Sequence, residues 1–258
     1  MNKAVQITCL AVIAAICLAT TAFAQTSVTL TGPPPGYVYD NIYMSPYTAT
    51  VGGATNTPVV CDDFGDNSWP NSTWNATVTS FSNITSTNTS WALAGANTQL
   101  YGAVGYLFGQ ILAAPSGSLK QIVDSFELWA IFDPTGVQKY LATTSVGAGT
   151  PISTAALCAE IFGACTSAAA AKPGGLLGAL LQQNFSASGF SNLIILSPTN
   201  SNGALCAAGQ DNCAAQEFIA LSVSEGGTAL AYLLVAGLCC VGAMFVRSRR
   251  LGASRINA

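Results

Sequence analysis

The side chains in this 258-residue chain that could do chemistry are its acids and its cysteines, because the chain has no histidine. Without imidazole there is no Ser-His-Asp triad, no His-activated thiolate and no His-based zinc site. Cysteine-only zinc needs close pairs such as C-x2-C, which are absent between the two termini, so no metal site is expected. The run "DDFGDN" offers Asp62, Asp63, Asp66 and Asn67 as oxygen donors. It lacks the alternating ligands and distant Glu of a calcium loop, and reads as a solvated acidic loop. Glu127 and Asp133 flank Trp129, but a carboxylate pair for glycoside hydrolysis would need a sugar cleft that no other motif supports. The chain is therefore expected to be non-catalytic, with no catalytic residue and no cofactor.

The cysteines suggest disulfides instead. Cys158 and Cys165 share the spacing C-x6-C with Cys206 and Cys213, and each pair could close a short local loop. Connectivity does not follow from spacing alone. That pairing would leave Cys61, which is open to three readings: a small buried apolar side chain at a strand end, a partner in some other disulfide, or a reactive thiol.

The ends of the chain point to export. Residues 1–24 have Lys3, an apolar run from Leu10 to Leu18, and Ala22-Phe23-Ala24 before Gln25, the pattern of a signal peptide. Thr228 to Val246 holds no charge over 19 residues. As a helix it would reach about 28 Å, close to the thickness of a bilayer core. Arg247, Arg249, Arg250 and Arg255 follow and favour the cytoplasmic side, which places the preceding domain outside. The expected organisation is a signal peptide (1–24), an exported domain (25–223), a sorting or anchoring block (224–250) and a short cytoplasmic tail (251–258). The whole chain has a net charge of −3, and its exported part carries ten acids against Lys120, Lys139 and Lys172, with no arginine. Such a surface lacks the basic footprint that nucleic acid requires.

Periodicity predicts an α+β domain. "TSVTLTG", "YVYDNIYMSPYTATVGG", "TPVVC" and "WNATVTSFSNI" read as N-terminal strands, with a turn at Gly52-Gly53. "QLYGAVGYLFGQILAA" and "LKQIVDSFELWAIFDP" show helical spacing; Ser118 can cap the second, and Asp133-Pro134 should stop it. Residues 152–163 and 174–184 are weaker helical segments. "SNLIILSP" and "EFIALSV" return to strand. The expected architecture is a sheet or sandwich built from N- and C-terminal strands, a central helical segment on one side, and one C-terminal transmembrane helix. Asn71, Asn75, Asn83, Asn88 and Asn184 lie in N-x-S/T sequons, which matter only in a host that glycosylates them.

The C-terminal block Ser224-Glu225-Gly226-Gly227, the uncharged run and "RSRR" resemble the sorting segment of bacterial PEP-CTERM proteins. The glutamate of the motif is present and both prolines are missing, so this is a variant form. The resemblance implies the membrane and an exosortase-like processing enzyme as partners, with an exopolysaccharide matrix as a further one. It also implies a route through an inner-membrane intermediate to the cell surface or extracellular matrix. In that reading Ser224, Glu225, Gly226, Gly227, Arg247, Arg249 and Arg250 serve sorting and processing; the same block read by hydropathy alone is a permanent anchor. The body, through "SPYTATVGG", "VVCDDFGDNSW", "SFELWAIFDP" and "LIILSPTN", is similar to a group of such proteins of unassigned activity. Cys61 followed by Asp62, with a later helix carrying Trp129, is also similar to adhesin thioester domains, in which a Cys and a Gln crosslink. The glutamine expected four residues before the tryptophan is Ser125 here, and Gln121 lies a turn earlier.

Overall fold

The structure, a computed structural model, describes residues 25–32, 38–39, 42–65, 68–145, 150–165, 174–209 and 215–222. They belong to one compact unit that ends at Ser222. The signal-like segment, the block from Ser224 onward, Asp66, Asn67 and Cys213 lie outside the described residues. No helix among the described residues is long and apolar enough to cross a membrane.

Six strands close into a barrel: β1 (Gln25–Gly32), β4 (Tyr47–Val51), β5 (Ala54–Cys61), β8 (Phe218–Leu221), β7 (Leu193–Pro198) and β6 (Thr73–Ser80), in that spatial order. Every neighbouring pair is antiparallel, and β6 returns to β1 with Val28 opposite Trp74. The short hairpin of β2 (Val38–Tyr39) and β3 (Ile42–Tyr43) stands apart from the barrel sheet. Of the expected sheet or sandwich, the structure has the single sheet, closed into a barrel. The α+β class stands, with the strands drawn from both ends of the exported domain as expected.

Alternation along the strands decides what fills the barrel. Val28 and Leu30 of β1, Ala49 of β4, Val59 of β5, Ala76 of β6 and Phe218 of β8 form an inner core. A six-stranded barrel is narrow enough for side chains to fill it. On β1 the intervening residues face outward, and Thr29 bonds Thr73 of β6 through their hydroxyls at 2.8 Å. On β5, β7 and β8 the outward residues Val60, Leu193, Ile195 and Ile219 are buried as well, in a second core shared with the helices. Burial on both faces explains why "LIIL" and "FIAL" read as continuous apolar runs while β1 alternates. Between β4 and β5 the chain reverses at Gly52-Gly53, with φ of +56° and +89°, the left-handed pair that a two-residue hairpin needs.

The helices occupy the excursion from β6 to β7: α1 (Ser90–Leu93), α2 (Tyr101–Ala113), α3 (Leu119–Phe132), α4 (Pro134–Thr143), α5 (Thr154–Phe162) and α6 (Gly175–Leu181). Their starts are written in the sequence. Thr89, Ser118, Asp133 and Ser153 each accept a first-turn backbone N–H through the side chain. α3 is buried on all sides from Gln121 to Ile131, its apolar residues Ile122, Phe126 and Trp129 included. Asp133-Pro134 does end α3, and the same pair opens α4, with Asp133 as cap and Pro134 in the first turn. Cys158 and Cys165 are joined in a disulfide, Cα to Cα 5.4 Å, across the end of α5.

Candidate functional site

Two places in the fold gather polar side chains. The first is a buried layer where the barrel meets the helices. β5 and β8 are paired, with Cys61 opposite Phe218, so the residues just beyond them, Asp62 and Glu217, become neighbours. Both carboxyl groups are fully buried, and Asp63 nearly so. Glu217 gathers donors from three elements. The N–H of Ser90 bonds Oε2 at 2.6 Å, the Tyr101 hydroxyl bonds Oε1 at 2.5 Å, and the Ser197 hydroxyl bonds Oε2. Tyr101 Oη also lies 2.9 Å from the hydroxyl of Thr89, the residue that caps α1. The glutamate thereby ties β8 and β7 to the first turns of α1 and α2.

Asp62 has no comparable set. Neither of its carboxyl oxygens meets a hydrogen-bond partner among the described residues. Burial, then the charges of Glu217 and Asp63, hold its carboxyl well above the usual carboxylate range. The same cause, burial first and Glu217 second, raises the Tyr101 phenol. The expected solvated acidic loop is therefore corrected. Asp62 and Asp63 are carried inside because β5 runs directly into the helix layer, where Trp129 of α3 donates to the Cys61 carbonyl at 3.0 Å. No group of three metal-ligating side chains occurs among the described residues.

Cys61 is a buried thiol at the end of β5. Its Sγ lies 3.0 Å from the Asp63 carbonyl, which also accepts the Gln216 side-chain amide at 2.8 Å. Of the α3 residues compared with thioester domains, Ser125 donates back to the Gln121 carbonyl at 2.8 Å. Gln121 accepts from Gly117 N–H at 2.8 Å and donates to the Ile111 carbonyl at 3.4 Å. That amide fastens the α2–α3 turn. Gln216, just before β8, is the amide that converges with Cys61 on one carbonyl.

Glu127 and Asp133 do not form an acid pair. Asp133 accepts Gly136 N–H as the α4 cap. Glu127 belongs instead with Lys120, Asp124 and Glu160, where burial, and secondarily Asp124, lifts its carboxyl to about 7. Lys120 and Asp124 form an i,i+4 ion pair at 2.8 Å. Cys206 is buried and disulfide-bonded; its expected partner Cys213 falls outside the described residues.

The second place is an open cleft of about 530 Å³ between the start of α2, the end of α6 and the segment 183–188. Sequence reasoning missed both places. The one local signal was Glu217, an acid placed directly before a strand whose two faces are apolar. Comparison of the chain with protein-family models, with curated proteins and with solved structures finds no match.

Proposed function

We propose that this chain is an exported cell-surface or extracellular-matrix protein that acts by binding rather than catalysis. A C-terminal PEP-CTERM-like segment would deliver it, spanning the inner membrane until an exosortase-like enzyme removes the tail. The observation that carries this reading is the block from Ser224 to Arg250: Glu225-Gly226-Gly227, then an uncharged stretch, then three arginines within four residues. A helix of that length suits a bilayer core, and the arginines set its orientation. A disulfide between Cys158 and Cys165 suits an oxidising compartment. Non-catalytic action is supported by the fate of the acids. Glu217 is engaged by three donors, Asp133 caps a helix and Asp124 pairs with Lys120.

Replacing Arg247, Arg249 and Arg250 together with Asn tests the sorting role. The variant is expected to accumulate as unprocessed precursor. Surface delivery and tail removal at the parent's rate would reject the reading. In a permanently anchored protein, the competing reading, the parent itself would keep its tail.

A thioester-type adhesin is a second reading, favoured by the meeting of Cys61 and Gln216 at the Asp63 carbonyl. Attack of the thiol on the Gln216 side-chain carbonyl carbon would form the thioester and release the amide nitrogen as ammonia. Intact mass would then be low by one ammonia, and alkylation of Cys61 in the unfolded chain would fail. Full alkylation of Cys61 rejects this second reading.

A further inference from the structure

Among the described residues, the lining of the cleft beside α2 holds no Asp, Glu, Lys or Arg. Its rim carries the side-chain amides of Asn97, Gln99, Gln183 and Asn184, all exposed. Asn97 uses its carbonyl oxygen on Gln99 N–H. The amides of Gln99, Gln183 and Asn184 make no hydrogen bond to other described residues, so each offers two donors and an acceptor to a ligand. Beside these amides the lining holds the hydroxyls of Ser82, Thr98, Ser186 and Ser188 and the half-buried ring of Phe185, while Phe81 behind them is buried in the core. Phe185 is braced by stacking on Tyr106, centroids 4.7 Å apart and planes 18° apart. Its segment is also pressed onto α2, since a Cβ added at Gly102 would stand 2.1 Å from the Phe185 carbonyl oxygen. The cleft is thus a fixed feature, within the size range of ligand sites.

A charged ligand would meet no counter-charge there, and a wholly apolar one would strand the amides. The lining suits a ligand that is uncharged, ringed with hydroxyls at its edge and apolar on its faces. A sugar ring has that form: planar amides bond adjacent hydroxyls, and the C–H face can lie against the half-buried Phe185 ring. We propose that this cleft binds a neutral polysaccharide chain, with Gln99 and Gln183 as its principal hydrogen-bonding residues. The binding follows from the cleft alone; it rests on the export reading only for the source of the polymer, a matrix outside the cell.

Affinity electrophoresis of the full chain in mild detergent provides the test, in gels cast with dextran, hydroxyethylcellulose, galactomannan or alginate. At least one neutral polymer is expected to retard the protein, and alginate, which is acidic, is not. Gln99→Ala with Gln183→Ala should weaken that retention by roughly tenfold, as expected for the loss of two hydrogen-bonding side chains. Both residues are exposed, so the melting temperature should not move. Gln182→Ala, next to the lining but outside it, should behave as the parent. The proposal is overturned if no neutral polymer retards the protein, if alginate alone does, or if retention survives the double substitution. None of these outcomes bears on whether the C-terminal block is processed, which the arginine substitutions test separately.

Discussion

Asp62 and Glu217 are two carboxyl groups enclosed with no cationic side chain bonded to either. Burial, with Glu217 and Asp63 beside it, disfavours the charged form of Asp62. The folded state therefore retains a proton on Asp62 that the unfolded chain gives up above its ordinary value of 3.8. The stability from this proton is complete below that value and is lost as pH rises through the folded value. Glu127 acts with the same sign between its ordinary 4.5 and about 7. The urea midpoint should therefore fall as pH rises from about 4.5 through about 7. Asp62→Asn and Glu127→Gln should each flatten that fall, and a midpoint that rises with pH would contradict the assignment. Glu217→Ala strands three buried donors and should destabilise by more than about 3 kcal/mol, measured by urea denaturation at acid pH. Little of this was visible in the sequence, because residues 62, 89–101, 197 and 217 come together only when β8 pairs with β5 and β7 and the helices pack against them. Cys61 was more legible: an apolar run ending in Cys is what a buried thiol at a strand end requires.

Elements were easiest to read where the local signal and the packing agree. Ile122, Phe126 and Trp129 give α3 its helical spacing, and Ser118 gives it its start. α4 was missed because Asp-Pro looks like a terminator, and the same two residues also meet the requirements of a new first turn. α2 is instructive for its glycines. A Cβ at Gly105 would stand 2.6 Å from the Phe190 ring, and one at Gly102 would strike Phe185, whereas Gly109 has nothing within 4 Å. Gly102→Ala and Gly105→Ala should each cost about 1–3 kcal/mol and loosen residues 183–190, seen as faster amide exchange there. Gly109→Ala should instead stabilise by up to about 1 kcal/mol, as a helix-interior glycine replaced without a clash. Equal effects at all three positions would mean that propensity, not close approach, governs this helix.

At the scale of the molecule, the class was legible and the closure was not. Strands at both ends of the domain and helices between them follow from the change of period along the chain. A barrel instead of a sandwich depends on β6 pairing with β1, a register that no local pattern states. The pairing of β8 with β5 and β7 brings Asp62 beside Glu217, and the outer faces of β5, β7 and β8 lie under the helices. The cleft of amides lies at the C-terminal end of α6, in a chain that carries few charges of any kind. The central claim is that this body is exported and delivered by a tail that is then removed. Intact-mass analysis of the protein recovered from the surface and matrix of its native cells tests it most directly. The account predicts a chain that begins at Gln25, has lost the uncharged run with "RSRR", and keeps both Cys158–Cys165 and Cys206 in disulfides. A surface protein whose mass still includes Thr228 to Arg250 would contradict it.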